Sequence, residues 1–241
     1  MTVQGRPASA AAGAGLTVGV LALQGGFAEH VKLLRAAADL VRPRPALETV
    51  EVRTPAELAR CDGLIIPGGE STTISLVAAQ SGLLEPLRDF VKVQRKPVWG
   101  TCAGLILLSE QANATKKGGQ ELIGGLGVRV HRNHFGRQIE SFEAELDLPF
   151  LPDGSAPFPG VFIRAPVVEE LLPGAPVAVL ATLPGRLDRM RPGVSQASAR
   201  GADADIVAVR QGNVFGTSFH PELTPDPRIH AWWLQEMLRL R

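Results

Sequence analysis

Residues 97–110 place a cysteine between two glycines, with an apolar run on either side. The first run, residues 97–99, is typical of the end of a buried strand, and residues 105–110 contain good helix formers. A reactive residue between glycines at a strand-to-helix junction is the arrangement of a nucleophile elbow, here with cysteine in the place of serine. Because Gly100 and Gly104 allow a close backbone approach, this segment predicts a sharp turn that carries Cys102.

The chemistry of such a turn favours Cys102 as a nucleophile. The N-terminus of the following helix carries partial positive charge, which favours the thiolate form of a cysteine. The free N–H of Ala103 is placed to donate to an oxyanion. A cysteine on a buried turn is usually inert, however, so this interpretation requires a base elsewhere in the chain.

A base is available near the C-terminus, where His220 and Glu222 follow an apolar strand at residues 214–218. Side chains two positions apart on an extended segment point the same way, and Pro221 between them disfavours a helix. A carboxylate beside an imidazole fixes its tautomer and stabilises the imidazolium, as the third member of a triad does. Because Cys102 and His220 are distant in sequence, their meeting depends on the fold. The alternative is a surface His–Glu pair that ends a strand.

Strand and helix patterns alternate through the first half of the chain. Residues 16–23 are nearly all apolar, as in a parallel strand covered on both faces, and residues 27–40 carry apolar positions at helical spacing. Further strands are predicted at residues 50–52, 62–66 and 96–99, with helices between them. The alternation predicts an α/β fold: a doubly wound, mixed but mostly parallel sheet flanked by helices, with a small antiparallel strand addition.

From residue 126 the pattern changes to short strands. Residues 127–132 and 138–146 predict an antiparallel pair joined by a turn at 133–137. Residues 161–164 and 177–180 predict two further strands.

Three helix starts carry capping signals. Thr54 and Glu57 form a capping box, Ser71 offers a hydroxyl cap to the next helix, and Asp226 precedes Pro227 as the N-cap of the last helix. The buried side of that last helix is predicted from apolar residues at helical spacing: Ile229, Trp232, Trp233, Met237 and Leu240.

A glycine-rich loop, residues 67–70, follows the predicted strand at 62–66. Ligands of a doubly wound sheet bind beyond the carboxyl ends of its strands, so this loop and the Cys102 turn should meet in one crevice. Gly69 is a candidate second oxyanion donor, because a backbone N–H without a side chain can approach a carbonyl closely. The alternative is a tight turn that binds nothing.

Several short motifs, in order along the chain from about residue 16 to the last helix, resemble those of class I glutamine amidotransferases. They are Leu-Gln-Gly at 23–25, Pro-Gly-Gly-Glu-Ser-Thr at 67–72, Gly-Thr-Cys-Ala-Gly at 100–104 and Ser-Phe-His-Pro-Glu at 218–222. Residues 132–138, 141–143 and 160–166 narrow the resemblance to the family of glutaminase subunits of pyridoxal 5′-phosphate synthase.

The resemblance implies hydrolysis of L-glutamine to L-glutamate and ammonia by a triad of Cys102, His220 and Glu222. It implies that Gln24 lies beside the catalytic site, and it implies a set of substrate contacts: Gly69, Glu70, Ser71, Arg132, Ile163 and Arg164. Arg132 and Arg164 suit the α-carboxylate of glutamine, and Glu70 suits its α-ammonium.

The resemblance also implies a partner. Ammonia would pass to a separate (β/α)8 synthase subunit, in an assembly of twelve synthase and twelve glutaminase chains, with low glutaminase activity before docking. The chain itself would bind no pyridoxal phosphate and no other cofactor.

Composition limits the other possibilities. A net charge of +1 argues against a dedicated nucleic-acid binder, and the two cysteines give no disulfide framework, so a cytoplasmic location is expected. Residues 1–15 predict a flexible tail, residues 16–241 a single domain, and residues 183–202 a mobile insertion. No spacing suggests a metal site, so the other four histidines, at positions 30, 131, 134 and 230, are interpreted as structural or surface residues, and Cys61 as a core residue.

Two other functions remain open from the sequence. A cysteine peptidase or γ-glutamyl hydrolase could use the same elbow and triad, although residues 132–138 and 160–166 count against it. A non-enzymatic subunit that only regulates a synthase is the second, and the complete set of Cys102, His220 and Glu222 argues against it.

Overall fold

The computed structural model describes residues 15–113, 120–132, 141–152, 154–183 and 204–241. The strands in these ranges are β1 (Gly15–Leu21), β2 (Ala46–Val52), β3 (Gly63–Ile66), β4 (Val98–Thr101), β5 (Ser109–Ala112), β6 (Leu126–His131), β7 (Ser141–Leu146), β8 (Phe158–Ile163), β9 (Val167–Leu171), β10 (Ala178–Leu183), β11 (Asp205–Gln211) and β12 (Val214–Thr217). The α-helices are α1 (Phe27–Ala38), α2 (Pro55–Ala59), α3 (Ser71–Gln80), α4 (Leu84–Lys92), α5 (Ala103–Leu108) and α6 (Arg228–Arg239), and a 3₁₀-helix covers Pro221–Leu223.

Ten of these strands form one sheet in the order β2-β1-β3-β4-β12-β11-β9-β6-β5, with β10 paired to β11. The five strands from β2 to β12 run parallel to one another, whereas β11, β9 and β10 join by antiparallel pairs. Strands β7 and β8 form a separate antiparallel sheet. The predicted fold, a mixed and mostly parallel sheet with a small antiparallel addition, is confirmed.

The sheet is covered on both faces because neighbouring residues of its central strands point in opposite directions. In β3, Ile65 packs into the hydrophobic cluster that contains α1 and α6, while Leu64 and Ile66 pack into the cluster that contains α2 to α5. All three side chains are buried. This two-sided burial explains the nearly continuous apolar sequence of the parallel strands. Within the described ranges, every helix is too short or too polar to span a bilayer.

The predicted pairing of residues 127–132 with 138–146 is wrong. Strand β6 lies between β9 and β5 in the large sheet, and β7 pairs with β8 instead. The burial patterns explain the separation: Leu126, Gly127 and Val128 are buried in succession, as in a strand covered on both faces, whereas β7 alternates between exposed and half-buried residues.

The predicted helix caps agree with the structure in one case of three, although α3 does begin at Ser71 as predicted. The Thr54–Glu57 capping box is present. Helix α3, however, is capped by the Glu70 carboxylate, which accepts from two backbone N–H groups of the first turn, and not by a hydroxyl of Ser71. The last helix begins at Arg228, so Pro227 occupies the N-cap position, and the Asp226 carboxylate accepts from the Arg228 N–H at 3.0 Å.

Two predicted helix extents are also corrected. Helix α5 ends at Leu108, and Ser109 and Glu110 belong to β5, because pairing with β6 takes over at that point. Leu240 follows α6 and is exposed, so the buried stripe of that helix ends at Met237. The predicted tail (apart from Gly15), the 133–137 turn and the 183–202 insertion beyond Leu183 lie outside the described residues.

We expect Gly104→Ala to destabilise the fold, because a Cβ at Gly104 would lie 2.0 Å from the carbonyl oxygen of Ile66. Relief requires α5 to move away from β3, and overpacking of this kind costs about 1–3 kcal/mol of unfolding free energy. Urea unfolding measures the cost. The matched control is Gly15→Ala, where the added Cβ meets nothing within 4 Å. Equal unfolding midpoints for the two variants would contradict this account of the elbow packing.

Candidate active site

Cys102 lies on a strained turn between β4 and α5. Its backbone has φ 49° and ψ −101°, a conformation that residues other than glycine rarely adopt outside functional turns. The turn is held by close packing, since a Cβ at Gly100 would lie 2.4 Å from the carbonyl carbon of Gly104. The Cys102 N–H donates to the Thr217 carbonyl at 2.8 Å, which ties the turn to β12. The predicted nucleophile elbow is therefore present.

His220 reaches the same place through the parallel pairing of β12 with β4. Thr217 is the register partner of Thr101, so both chains leave the sheet at the same edge. The His220 N–H donates to the Val161 carbonyl at 2.8 Å. A Cβ at Gly68 would lie 2.3 Å from Cε1 of His220 and 3.4 Å from Cβ of Cys102, so Gly68 packs against both side chains. The structure brings the predicted nucleophile and base together.

Glu222 contacts His220 as predicted, but the backbone between them has a different conformation from the extended one that the sequence predicts. The segment is not extended there, because a 3₁₀-helix begins at Pro221. The short turn still allows the His220 Nδ1–H to donate to Glu222 Oε1 at 2.8 Å. Both side chains are buried, so the bond is shielded from water.

The charges of this pair are coupled. Burial alone would lower the pKa of His220, but hydrogen bonds and charge interactions with Cys102 and Glu222 raise it to about 10. Burial would raise the pKa of Glu222, but its contacts with His220 and His30 hold that pKa well below the usual range. An imidazolium and a carboxylate therefore face each other at neutral pH, and a positive charge beside a cysteine favours the thiolate.

Two histidines interpreted as structural or surface residues lie next to this pair. His30 Nε2 is 3.3 Å from Glu222 Oε2, and His30 Nδ1 is 2.9 Å from His230 Nε2. Both imidazoles are fully buried. Helical spacing was the available signal: position 30 falls on the same face as Phe27 and Leu34 of α1.

The loop after β3 and the turn after β1 are joined at the site. The Glu70 N–H donates to Gln24 Oε1 at 2.9 Å. Gly69 has φ 151°, and its backbone lies against the Gln24 amide. Ala103 is the first residue of α5, where an N–H has no partner within the helix. Gln24 thus contacts the loop that contains Gly69, the neighbouring Gly68 packs against Cys102 and His220, and Ala103 follows Cys102 directly.

A charged cluster lies at the start of α3. The Glu70 carboxylate accepts from the Thr73 N–H at 2.7 Å, and the resulting hydrogen bonds lower the pKa of Glu70 even though partial burial opposes the charge. Arg132 Nη2 is 3.5 Å from Glu70 Oε1. Ser71, which is buried, donates its hydroxyl hydrogen to Gln120 Oε1 at 3.0 Å. Gln120 is a neighbour that the sequence does not single out.

The end of β8 forms another wall. The Ile163 carbonyl oxygen is 4.0 Å from Cys102 Sγ. Arg164 follows with φ 42° and an exposed side chain. A left-handed backbone at a residue with a long side chain is uncommon and marks a constrained turn.

In the described part of the chain, no group of three or more His, Cys, Asp or Glu side chains could hold a metal ion. Cys61 is buried far from solvent, and burial raises the pKa of its thiol to about 11. It is a core residue, as predicted.

A strained cysteine elbow paired with a buried histidine and carboxylate is suited to acyl transfer through a thioester. The family model of the SNO glutamine amidotransferase family matches residues 20–239. The chain belongs to that family. The resemblance inferred from its short motifs is therefore confirmed, and so is the expectation of a glutamine amidotransferase.

The names of similar proteins agree with this family assignment. The chain is 47% identical over 228 residues to the probable pyridoxal 5′-phosphate synthase subunit PDX2 of Arabidopsis thaliana, covering 91% of this chain and 85% of that protein. It is 48% identical over 222 residues to the pyridoxal 5′-phosphate synthase subunit PdxT of Streptomyces avermitilis, covering 92% and 94%. A solved glutamine amidotransferase superposes with a TM-score of 0.71 at 41% identity, covering 91% of this chain and 98% of that structure.

We expect the stability cost of Glu222→Gln to depend on pH. The lowered pKa of Glu222 means that its contribution is full above the ordinary glutamate pKa and is lost as the pH falls. The raised pKa of His220 means that its contribution is full below 6.5 and is lost as the pH rises towards 10. The cost should therefore be greatest between about pH 5 and 6.5, near 3 kcal/mol, and smaller at about pH 3 and pH 10.

Urea unfolding across this pH range gives the measurement. Glu51→Gln on the edge strand β2 is the matched control, since its exposed ion pair with Arg53 should change stability by less than about 0.5 kcal/mol at each pH. A cost for Glu222→Gln that stays constant with pH would show that the two charges are not coupled.

Proposed function

We propose that this chain is the glutaminase subunit of a pyridoxal 5′-phosphate synthase and that Cys102, His220 and Glu222 are its catalytic triad. The observation that carries the proposal is the convergence of these three side chains at one edge of the sheet, in a chain that matches a glutamine amidotransferase family over nearly its whole length. The names of the relatives from Arabidopsis and Streptomyces support the synthase assignment.

In this proposal Cys102 attacks the side-chain amide carbon of glutamine. The N–H groups of Gly69 and Ala103 donate to the oxyanion, and His220 gives a proton to the leaving ammonia. The resulting γ-glutamyl thioester is hydrolysed by water, with His220 as the base, to give glutamate and the free thiol. Glu222 orients His220 through both steps.

The substrate contacts of the proposal use the charged cluster at α3. Glu70 would bind the α-ammonium of glutamine, and Arg132 with Arg164 would bind the α-carboxylate. The 3.5 Å separation of Arg132 from Glu70 supports this role, because the opposite charges of free glutamine are also close together. Ser71 and Ile163 would complete the pocket, while Gln24 would position the Gly69 loop.

The proposed partner is a (β/α)8 synthase subunit that receives the ammonia, with twelve copies of each chain. The proposal assigns no cofactor to this chain, a single domain to residues 16–241 with a flexible tail at 1–15 and a mobile insertion at 183–202, and a cytoplasmic location. Both cysteines are free thiols, which suits a reducing compartment.

Glutamate release from glutamine, measured with and without the candidate synthase, tests the proposal. Cys102→Ala should lower the rate in the complex by at least about 10³-fold, because no other group supplies the acyl acceptor. Cys61→Ser is the matched control and should retain nearly full activity, since Cys61 is buried and its thiol donates to the Glu57 carbonyl, as a hydroxyl also can.

Each rival function has its own outcome in this assay. Glutamate release that survives Cys102→Ala would favour a regulatory subunit. Hydrolysis of peptides or of γ-glutamyl chains in preference to free glutamine would favour a peptidase or a γ-glutamyl hydrolase. Either result would overturn the proposal.

Arg132→Ala tests the substrate contacts. We expect the KM for glutamine to rise about 10- to 100-fold, because a buried charge contact with the carboxylate is lost, while kcat changes less. Arg129→Ala, on the strand β6 that ends just before Arg132, is the control, since Arg129 pairs with Glu170 in a half-exposed bridge. Similar kinetic effects from both variants would remove Arg132 from the pocket.

A further inference from the structure

Only one oxygen of the Glu222 carboxylate is used by His220. Oε1 accepts from His220 Nδ1–H at 2.8 Å, while Oε2 points to α1, where His30 Nε2 lies 3.3 Å away. This contact falls short of hydrogen-bond geometry, and Oε2 has no other hydrogen-bond partner among the described residues. It is nevertheless buried, with His30 and Glu222 almost completely shielded from solvent. A buried carboxylate oxygen requires a donor, because leaving it unpaired is costly.

We propose that His30 is a positioning residue of the triad: its Nε2–H holds the second oxygen of Glu222, so that the first oxygen faces His220. The inference rests on the proposed glutaminase function. His30 would not touch glutamine. It would act through Glu222, and His220 lies between Glu222 and the sulfur of Cys102.

The neighbouring His230 determines which nitrogen of His30 carries the proton. His230 is fully buried, and burial lowers its pKa well below the ordinary value, so it is neutral. In the proposed arrangement the proton of His230 is on Nε2, and His230 donates to His30 Nδ1 across 2.9 Å. In that arrangement His30 Nδ1 accepts, so the N–H of His30 that faces Glu222 is on Nε2. Nδ1 of His230, which has no partner among the described residues, is left without a proton.

Besides the segment that carries Glu222, three elements supply polar groups around the His230–His30–Glu222 contacts. His30 comes from α1 and His230 from α6, while β4 supplies the Thr101 hydroxyl, 3.4 Å from His30 Nε2. His220 faces Glu222 from the other side and is itself coupled to Cys102. A change at His30 can therefore reach the sulfur through Glu222 and His220, or through Thr101, which precedes Cys102 in the chain.

Aromatic packing fixes the His30 ring in place. The ring meets Trp99 edge-on, with centroids 5.7 Å apart, and Trp99 also packs on His230 at 4.8 Å. The Trp99 Nε1–H donates to the Thr217 hydroxyl at 3.2 Å. Gly26, just before α1, brings the helix close, since a Cβ there would lie 3.0 Å from Cγ of Glu222. Such rigid support is what a precisely placed catalytic group needs.

Two substitutions separate hydrogen bonding from packing. His30→Gln places an amide nitrogen near the position of ring Nε2, whereas His30→Leu fills the site without a donor. In the complex with synthase, we expect His30→Leu to lower kcat for glutamate release about 10- to 100-fold, because a misplaced base costs that much. KM should change less than about twofold, and His30→Gln should stay within about threefold of wild type.

A second measurement does not depend on catalysis. In full-length chain carrying ¹⁵N-labelled histidine, NMR follows the titration of His220, whose pKa is raised to about 10. His30→Leu should lower that midpoint by roughly one unit or more, because Glu222 is no longer held against the imidazolium. His30→Gln should leave it nearly unchanged. Leu34→Ala, a core change on the same face of α1, should reduce stability without moving either kcat or the midpoint.

The outcomes are distinct. A folded His30→Leu variant with wild-type kcat and an unchanged His220 midpoint would overturn the inference, and so would equal losses in the Gln, Leu and Leu34→Ala variants, which would indicate packing alone. If the wild-type complex releases no glutamate while the His220 midpoint still responds to His30→Leu and not to His30→Gln, the proposed function fails and the positioning role stands.

Discussion

The parallel pairing of β4 with β12 is the interaction on which the site depends. These strands are distant in sequence, yet their register sets Thr101 opposite Thr217 and continues as a hydrogen bond from the Cys102 N–H. Nucleophile and base then leave the sheet side by side. Because nothing local holds them together, the site exists only when the centre of the sheet has formed, and activity reports directly on folding of that part of the molecule.

The elements that the sequence predicts well are those whose signals are local. A few neighbouring residues are enough to predict three elements: the glycine turn around Cys102, the Thr54 capping box and the apolar strand β1. The doubly wound order follows from their alternation. The sequence suggests His220 as a base because a carboxylate lies two residues away, although the chain turns there instead of extending.

The wrong predictions concern elements whose pairing or contacts depend on residues that are distant in the sequence. Strand β6 has an adjacent candidate in β7, but it pairs with β5 and β9, and no sequence pattern identifies these partners beforehand. The roles of His30 and His230 have the same origin. Their positions on α1 and α6 predict burial, but the identity of the group they meet depends on how both helices pack over β4.

Glu70 shows how one side chain can serve the fold and the pocket together. A carboxylate has about four lone-pair sites, and Glu70 uses them to accept from the N–H groups of Thr72 and Thr73 and from the Thr73 hydroxyl. The helix start thereby fixes the orientation of the anion and lowers its pKa. Arg132 Nη2 lies 3.5 Å from Oε1 of the same carboxylate, so the two charges hold each other in place, which suits a pocket that is formed before substrate arrives.

The raised pKa of His220 suits one half of the proposed reaction and opposes the other. An imidazolium with a pKa of about 10 already carries the proton that departing ammonia needs, but it is a weak base for activating water. Hydrogen bonding and charge interaction with Cys102 supply part of that shift. Once the sulfur is acylated it bears no negative charge and accepts hydrogen bonds only weakly, so this part of the shift is lost and the pKa of His220 falls. Formation of the thioester therefore converts the acid of the first step into the base of the second, while Glu222 keeps the ring in place throughout.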